Sequence, residues 1–140
     1  DAYAPLAIQT VSDAALHRPF PSARPFDGQR LLVENFIPIQ SIIFRKSLFD
    51  HFGGFNPDFD HLEDWNLWVR YAQVGDFMYT PKVTSIYLTP NDPDIRQKRH
   101  LQLHAAYETV RDKNLEDVAK LQAKLSADKG HLSISSQRWT

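Results

Sequence analysis

The sequence predicts one domain of the α/β class, or of the α+β class as an isolated piece, and three observations carry this prediction. Residues 37–44 are rich in β-branched and aromatic side chains, which is typical of a buried strand. Two shorter strand-like stretches follow at 77–79 and 83–88. Between the first strand and these two stretches, the apolar residues of 63–74 have the spacing of a helix buried on most sides. We therefore expect a small mixed sheet that packs against this helix, with further helices outside.

Length and composition limit the chain to one core and exclude several classes of function. The 140 residues are 42% hydrophobic, and a chain of this length buries roughly two-thirds of its unfolded surface. The net charge of −1 predicts no nucleic-acid partner. The absence of cysteine excludes disulfides, thiolate metal sites and cysteine nucleophiles. No apolar run approaches the roughly 20 residues that span a bilayer. We expect a cytoplasmic protein without a transmembrane segment, whose membrane contact, if any, is peripheral and made by the rest of a parent protein.

The remaining elements follow in order along the chain. The composition of residues 17–28 predicts a proline-rich loop. The apolar spacing of residues 45–52 predicts a short helix that Gly53 terminates. Two amphipathic helices are expected at 95–112 and 114–127, the second capped by Asn114, and residues 131–140 predict a tail. These patterns divide the chain into a first portion at 1–94, a helical extension at 95–130 and the tail. The amphipathic helices also offer a surface for self-association.

An acidic pair stands where a glycine turn leads into the aromatic-rich helix. Glu63 and Asp64 follow the turn at Gly53 and Gly54 and open that helix. A carboxylate held rigidly at a helix N-terminus is a candidate general base, because the peptide dipoles keep it ionised. The alternative is that the two acids merely complement the helix dipole, for about 1 kcal/mol or less.

Several spaced motifs around this pair carry a resemblance to a known family. In order they are Asn35-Phe36-Ile37, Ser41-Ile42-Ile43-Phe44-Arg45-Lys46, Phe52-Gly53-Gly54-Phe55 and Glu63-Asp64-Trp65-Asn66-Leu67-Trp68-Val69-Arg70. The segment resembles the carboxy-terminal, acceptor-side half of an inverting family 2 glycosyltransferase of the GT-A fold. The resemblance implies transfer of a sugar from a nucleotide-sugar donor to the hydroxyl of a saccharide or other acceptor. It makes Asp64 the general base, with Glu63 as the second catalytic candidate.

The resemblance also implies a divalent cation, Mg²⁺ or Mn²⁺, held by an Asp-x-Asp signature upstream of the acidic pair. Asp58-Phe59-Asp60 adjoins the pair and Asp92-Pro93-Asp94 follows it, so neither stands in the family's position. We therefore expect the metal ligands upstream of this chain, and we assign no metal or cofactor ligand within it.

Four residues are candidates for binding the acceptor. Trp65 has a ring that stacks on sugars, although tryptophan at this spacing is more often a core residue. The other three, whose polar groups flank the predicted strand at 37–44, are equally explained by turn chemistry: Asn35, Gln40 and Ser41.

No βαβ unit of the kind that binds a nucleotide precedes residue 37. We therefore expect an excised segment of a longer transferase, without appreciable activity alone. The alternative is a non-catalytic, glycosyltransferase-like binding or assembly module whose C-terminal helices dock a partner. A hydrolase that pairs Glu63 with Asp64 is disfavoured, because adjacent residues at a helix start point in different directions whereas glycosidase carboxylates flank the bond from separate elements.

Overall fold

The computed structural model describes residues 25–82, 85 and 90–129, and the regular structure within these ranges is helical. The elements in chain order are α1 (Gly28–Leu31), a 3-10 helix (Ile39–Ser41), α2 (Lys46–Phe52), α3 (Glu63–Tyr71) and α4 (Pro93–Lys129). None of the described residues lies in a β-strand. The predicted α/β or α+β class, with a small mixed sheet of a partial GT-A domain, is therefore wrong for this part of the chain.

Residues 37–44 form a tight turn and an extended segment where a buried strand was predicted. The backbone N–H and the hydroxyl of Ser41 both donate to the carbonyl of Pro38, at 2.9 and 2.8 Å. Such local bonds occupy backbone groups that a sheet would need. Ile43, just beyond the turn, is 99% exposed. The β-branched composition of this stretch thus does not reflect burial in a sheet.

The second predicted strand, 77–79, has no regular structure. Phe77 instead stacks on Phe26 with 4.5 Å between ring centroids, and Met78 is 93% exposed. Of the third predicted strand, 83–88, only Ser85 lies among the described residues, and it too has no regular structure. The predicted tail at 131–140 and most of the loop at 17–28 lie outside the described residues.

The helices on either side of the glycine turn are confirmed, and a further short one was not predicted. α2 ends at Gly53, whose φ of 76° lies in the region that favours glycine. α3 begins at Glu63 as predicted and passes into a turn after Tyr71, three residues before the expected end at 74. α1 escaped prediction because it has four residues; the side chain of Asp27 caps it by accepting from two backbone N–H groups.

The two predicted C-terminal helices are one helix, α4, with 37 residues. Asp92 caps its start by accepting from the backbone N–H of Asp94 at 2.8 Å, and Pro93 occupies the first turn, where no donor is lost. Asn114, predicted as the cap of a second helix, is fully buried within α4. Within the described ranges, no helix combines the length and the apolar character that crossing a bilayer requires.

The core forms around α3, which packs against α4, α1 and α2. Its side chains between Trp65 and Val69 are all buried. The buried apolar residues are Leu31, Phe36, Trp65, Leu67, Trp68, Val69, Tyr71 and Val110. Because α3 is enclosed on several sides, its first turn has a fixed position relative to the rest of the core.

Candidate active site

Asp64 lies in the first turn of α3 and is partly buried. Its Oδ1 accepts two hydrogen bonds, from Asn35 Nδ2 at 3.1 Å and from the backbone N–H of Trp65 at 2.8 Å. Asn35 comes from the loop after α1, 29 residues earlier in the chain. Both bonds end on Oδ1, so Oδ2 is the oxygen that neither Asn35 nor Trp65 occupies.

The Asp64 carboxylate binds a proton more readily in its folded environment than it would in water. Burial raises the pKa of the Asp64 carboxyl above its usual value, and the negative charge of Glu63 adds to the rise. The hydrogen bonds from Trp65 and Asn35 act in the opposite direction, because they stabilise the carboxylate. The outcome is a fixed carboxylate that is more basic than an exposed aspartate, as a general base requires.

The backbone immediately before the acidic pair is strained. Leu62 has φ 61° and ψ 21°, a left-handed conformation that residues other than glycine rarely adopt. Its carbonyl nevertheless accepts from the N–H of Asn66 at 3.3 Å, so the sharp bend leads directly into the first turn of α3. Such conformations cost about 1–3 kcal/mol and cluster at functional sites.

Trp65 anchors the start of α3 to two other helices. Its indole N–H donates to the carbonyl of Leu31 in α1 at 2.6 Å, and its ring stacks on Tyr107 of α4 with 5.2 Å between centroids. The side chain is fully buried. Trp65 was predicted to contact the acceptor; in this conformation its ring packs in the core and holds Asp64 in place.

The other predicted site residues lie in different surroundings. Glu63 is partly buried beside Asp64. Gln40 and Ser41 belong to the exposed 3-10 helix, and the Ser41 hydroxyl bonds to Pro38 within that turn. The structure thus joins Asn35 to Asp64 by a hydrogen bond, whereas Ser41 bonds within its own turn, to Pro38.

Arg70, at the other end of α3, holds the glycine turn. Its guanidinium donates to the carbonyl of Phe52 at 2.7 Å and also to the carbonyl of Gly54. The hydroxyl of Tyr71 donates to the carbonyl of Gly53 at 2.9 Å. Three successive carbonyls of the turn are therefore bound by α3.

A buried polar network joins α3 to α4, and sequence reasoning missed it. Asn66 donates to Asn114 Oδ1 at 2.9 Å and to Asp117 Oδ2 at 3.0 Å, and it accepts from Arg70 Nε at 3.2 Å. Lys113 pairs with the second oxygen of Asp117 at 3.1 Å. The signal in the sequence was the polar Asn66 inside a helix predicted to be buried on most sides, because a buried polar side chain needs a hydrogen-bond partner.

The two Asp-x-Asp sequences serve local structure. Asp92 caps α4, and the backbone N–H of Asp58 donates to the side chain of Asn56 at 3.0 Å in an Asx turn. Across residues 25–82, 85 and 90–129, no three His, Cys, Asp or Glu side chains lie close enough together to hold a metal ion.

Comparison of the chain with protein-family models, with curated proteins and with solved structures finds no match.

Proposed function

We propose that this chain is the acceptor-side part of an inverting glycosyltransferase in which Asp64 is the general base. The observation that carries the proposal is the state of the Asp64 carboxylate. It is partly buried, held by two hydrogen bonds on Oδ1 and placed on a helix whose next five side chains are buried. The motifs around it, which resemble those of the family, supply the reaction class. A cytoplasmic location belongs to the same proposal.

In the proposed step, an acceptor hydroxyl lies against Oδ2 of Asp64. Its proton passes to Oδ2 while the hydroxyl oxygen forms a bond to the anomeric carbon of the donor sugar. The bond from that carbon to the nucleotide diphosphate breaks, the electron pair leaves with the phosphate oxygen, and the configuration inverts. A positioned base contributes roughly 10²- to 10⁴-fold to such a reaction.

We propose that the described residues supply only the acceptor side of the reaction. The proposed substrates are a nucleotide-sugar and an acceptor hydroxyl, such as that of a saccharide. The Mg²⁺ or Mn²⁺ that the resemblance implies has no suitable ligand set among the described residues. The step above therefore assigns it no role in this chain.

The proposal is tested by Asp64→Asn in the full-length protein that contains this sequence. Turnover should fall roughly 10²- to 10⁴-fold because the base is lost, while donor binding, measured by calorimetry, should be unchanged. Asp60→Asn is the matched control, since Asp60 is exposed on the loop just before the site. Undiminished turnover in Asp64→Asn would remove the basis of the proposal.

A second candidate function is assembly, and the surface of α4 favours it. Residues 91–102 are all exposed, and they include Ile95 and Leu101, which are 53% and 58% exposed. Paired with a second copy, the first turns of α4 would bury these side chains. Sedimentation analysis of the chain should then show a dimer that Leu101→Glu dissociates. A monomer at every concentration would exclude this alternative.

A further inference from the structure

The contact between Asn35 and Asp64 has a cost that packing does not explain. Asn35 donates from Nδ2 to Asp64, yet its own Oδ1 is buried and has no hydrogen-bond partner among the described residues. A buried acceptor without a donor destabilises the folded state, so most native structures avoid it. An apolar side chain of similar size would fill this position without leaving a buried polar atom unpaired.

The segment that carries Asn35 is held firmly on both sides. Phe36, the next residue, is only 5% exposed and belongs to the core. On the other side, the carbonyl of Val33 accepts from the hydroxyl of Tyr107 at 2.5 Å. The carbonyl of Leu31 accepts from Trp65, the residue that follows Asp64. The loop and the start of α3 are therefore fixed to each other independently of the Asn35 side chain.

We infer that Asn35 is a positioning residue for Asp64, whose amide N–H fixes Oδ1 and stabilises the carboxylate so that Oδ2 receives the proton. This differs from direct contact with the acceptor, the role that the sequence suggested. The buried Oδ1 of Asn35 is closed to an acceptor sugar, whereas Nδ2 is already engaged by the carboxylate. The inference deepens the proposed function, and only its catalytic consequence rests on that function.

Among the described residues, Glu63 is the charged group that acts on the pKa of Asp64, and the charges on the neighbouring elements pair with one another. Glu63 is the neighbour of Asp64 on α3. In the loop segment, Glu34 forms an ion pair with Arg30 at 2.6 Å. On α4, Tyr107 stacks on Trp65, Arg111 lies 5.8 Å from the centroid of the Tyr107 ring, and Arg111 pairs with Asp112 at 2.9 Å. Loss of the Asn35 amide should therefore register clearly in the titration of Asp64.

The experiment is an NMR titration of the Asp64 side-chain carboxyl in the 140-residue chain. In Asn35→Ala the pKa of Asp64 should rise above the wild-type value, because the ionised form loses a hydrogen bond. In Asn35→Asp it should rise further, because a like charge replaces the donor. Asn91→Ala, at an exposed asparagine before α4, is the matched control and should leave the pKa unchanged. An unchanged pKa in Asn35→Ala would overturn the inference.

A measurement on the wild-type chain covers the case in which the variants do not fold. The side-chain amide resonances of Asn35 in the wild-type chain should shift with the same midpoint as the Asp64 carboxyl. Amide resonances that ignore the titration of Asp64 would equally overturn the inference. If the role of Asn35 were purely structural, Asn35→Ala would lower the melting temperature and leave the titration midpoint of Asp64 unchanged.

The same variants separate this inference from the proposed function. In the full-length enzyme, Asn35→Ala should move the acidic limb of the pH–rate profile to higher pH, in parallel with the titration. If the titration shifts but no sugar is transferred, the positioning role stands and the transferase proposal fails. If Asp64 proves essential for transfer while Asn35→Ala alters neither titration nor profile, the transferase proposal stands and the positioning role fails.

Discussion

At the residue scale, Asp64 is a charge that the fold holds in an unfavourable place. Its folded pKa lies above the value of 3.8 that applies when it is exposed, mainly because burial penalises the charged form. Between those two pKa values the folded state binds more protons than the unfolded state, so stability falls as the pH rises through that window. At neutral pH the ionised carboxylate thus destabilises the fold. A general base is expected to have this property, because catalytic groups are commonly held at some cost in stability.

This cost predicts that Asp64→Asn stabilises the protein at neutral pH. The amide oxygen of the variant still accepts from Asn35 and Trp65, while the buried charge is gone. Urea denaturation at a series of pH values should give Asp64→Asn a higher free energy of unfolding than the wild type at neutral pH. This difference should disappear once the pH falls below the unfolded pKa of 3.8. A gain in stability that did not change with pH would show that the Asp64 charge is not its source.

Arg70 is a second residue whose chemistry the structure specifies. Its planar guanidinium donates from the two terminal nitrogens to the carbonyls of Phe52 and Gly54, and its Nε donates to the side chain of Asn66. A lysine carries the same charge but cannot reproduce three donors in one plane. We expect Arg70→Lys to lower the free energy of unfolding by roughly 2–4 kcal/mol, measured by urea denaturation. Arg96→Lys, on the exposed first turns of α4, is the control and should change it by less than about 0.5 kcal/mol.

At the scale of elements, the turn between α2 and α3 depends on the backbone of Gly53. A side chain at its φ of 76° is strained whatever space surrounds it. Gly53→Ala should therefore cost about 1–3 kcal/mol in thermal or urea unfolding. At Gly75, after α3, an added Cβ meets only the carbonyl of Tyr71 at an ordinary 3.7 Å, so Gly75→Ala should be nearly neutral. Equal effects at the two glycines would contradict the role assigned to the turn.

The interface between α3 and α4 contains two buried asparagines that should respond differently to truncation. Asn66 bonds to residues on both helices and supports Arg70, so Asn66→Ala should cost about 3 kcal/mol. Asn114 accepts one bond, and its Nδ2 is buried without a partner among the described residues. Asn114→Ala removes that unpaired donor as well and should cost only about 1 kcal/mol. Denaturation of both variants tests the order, and a larger loss at Asn114 would refute it.

At the scale of the whole molecule, local patterns predicted the helices, whereas the sheet depended on partners that local patterns do not specify. The spacing of Trp65 and Trp68 and the stop at Gly53 are properties of one segment, and they located α2 and α3. A strand at 37–44 needs neighbouring strands, and the same β-branched residues occur in the exposed stretch after Pro38. Likewise, the sequence indicated that Asp64 opens a helix, but its contact with Asn35 spans 29 residues and was not foreseeable.

The unequal burial of α4 leads to a prediction about the whole molecule. Val110 and Asn114 are fully buried against α3, whereas residues 91–102 are exposed throughout. Most of the stability of a helix in a protein comes from tertiary packing of one face, so the exposed turns of α4 are expected to be less stable than the buried ones. Amide hydrogen exchange followed by mass spectrometry should therefore be fast at 93–102 and slow around 107–118, within one continuous helix. Uniform protection would contradict this gradient, and protection at 93–102 that grew with protein concentration would instead show that a second copy covers this surface.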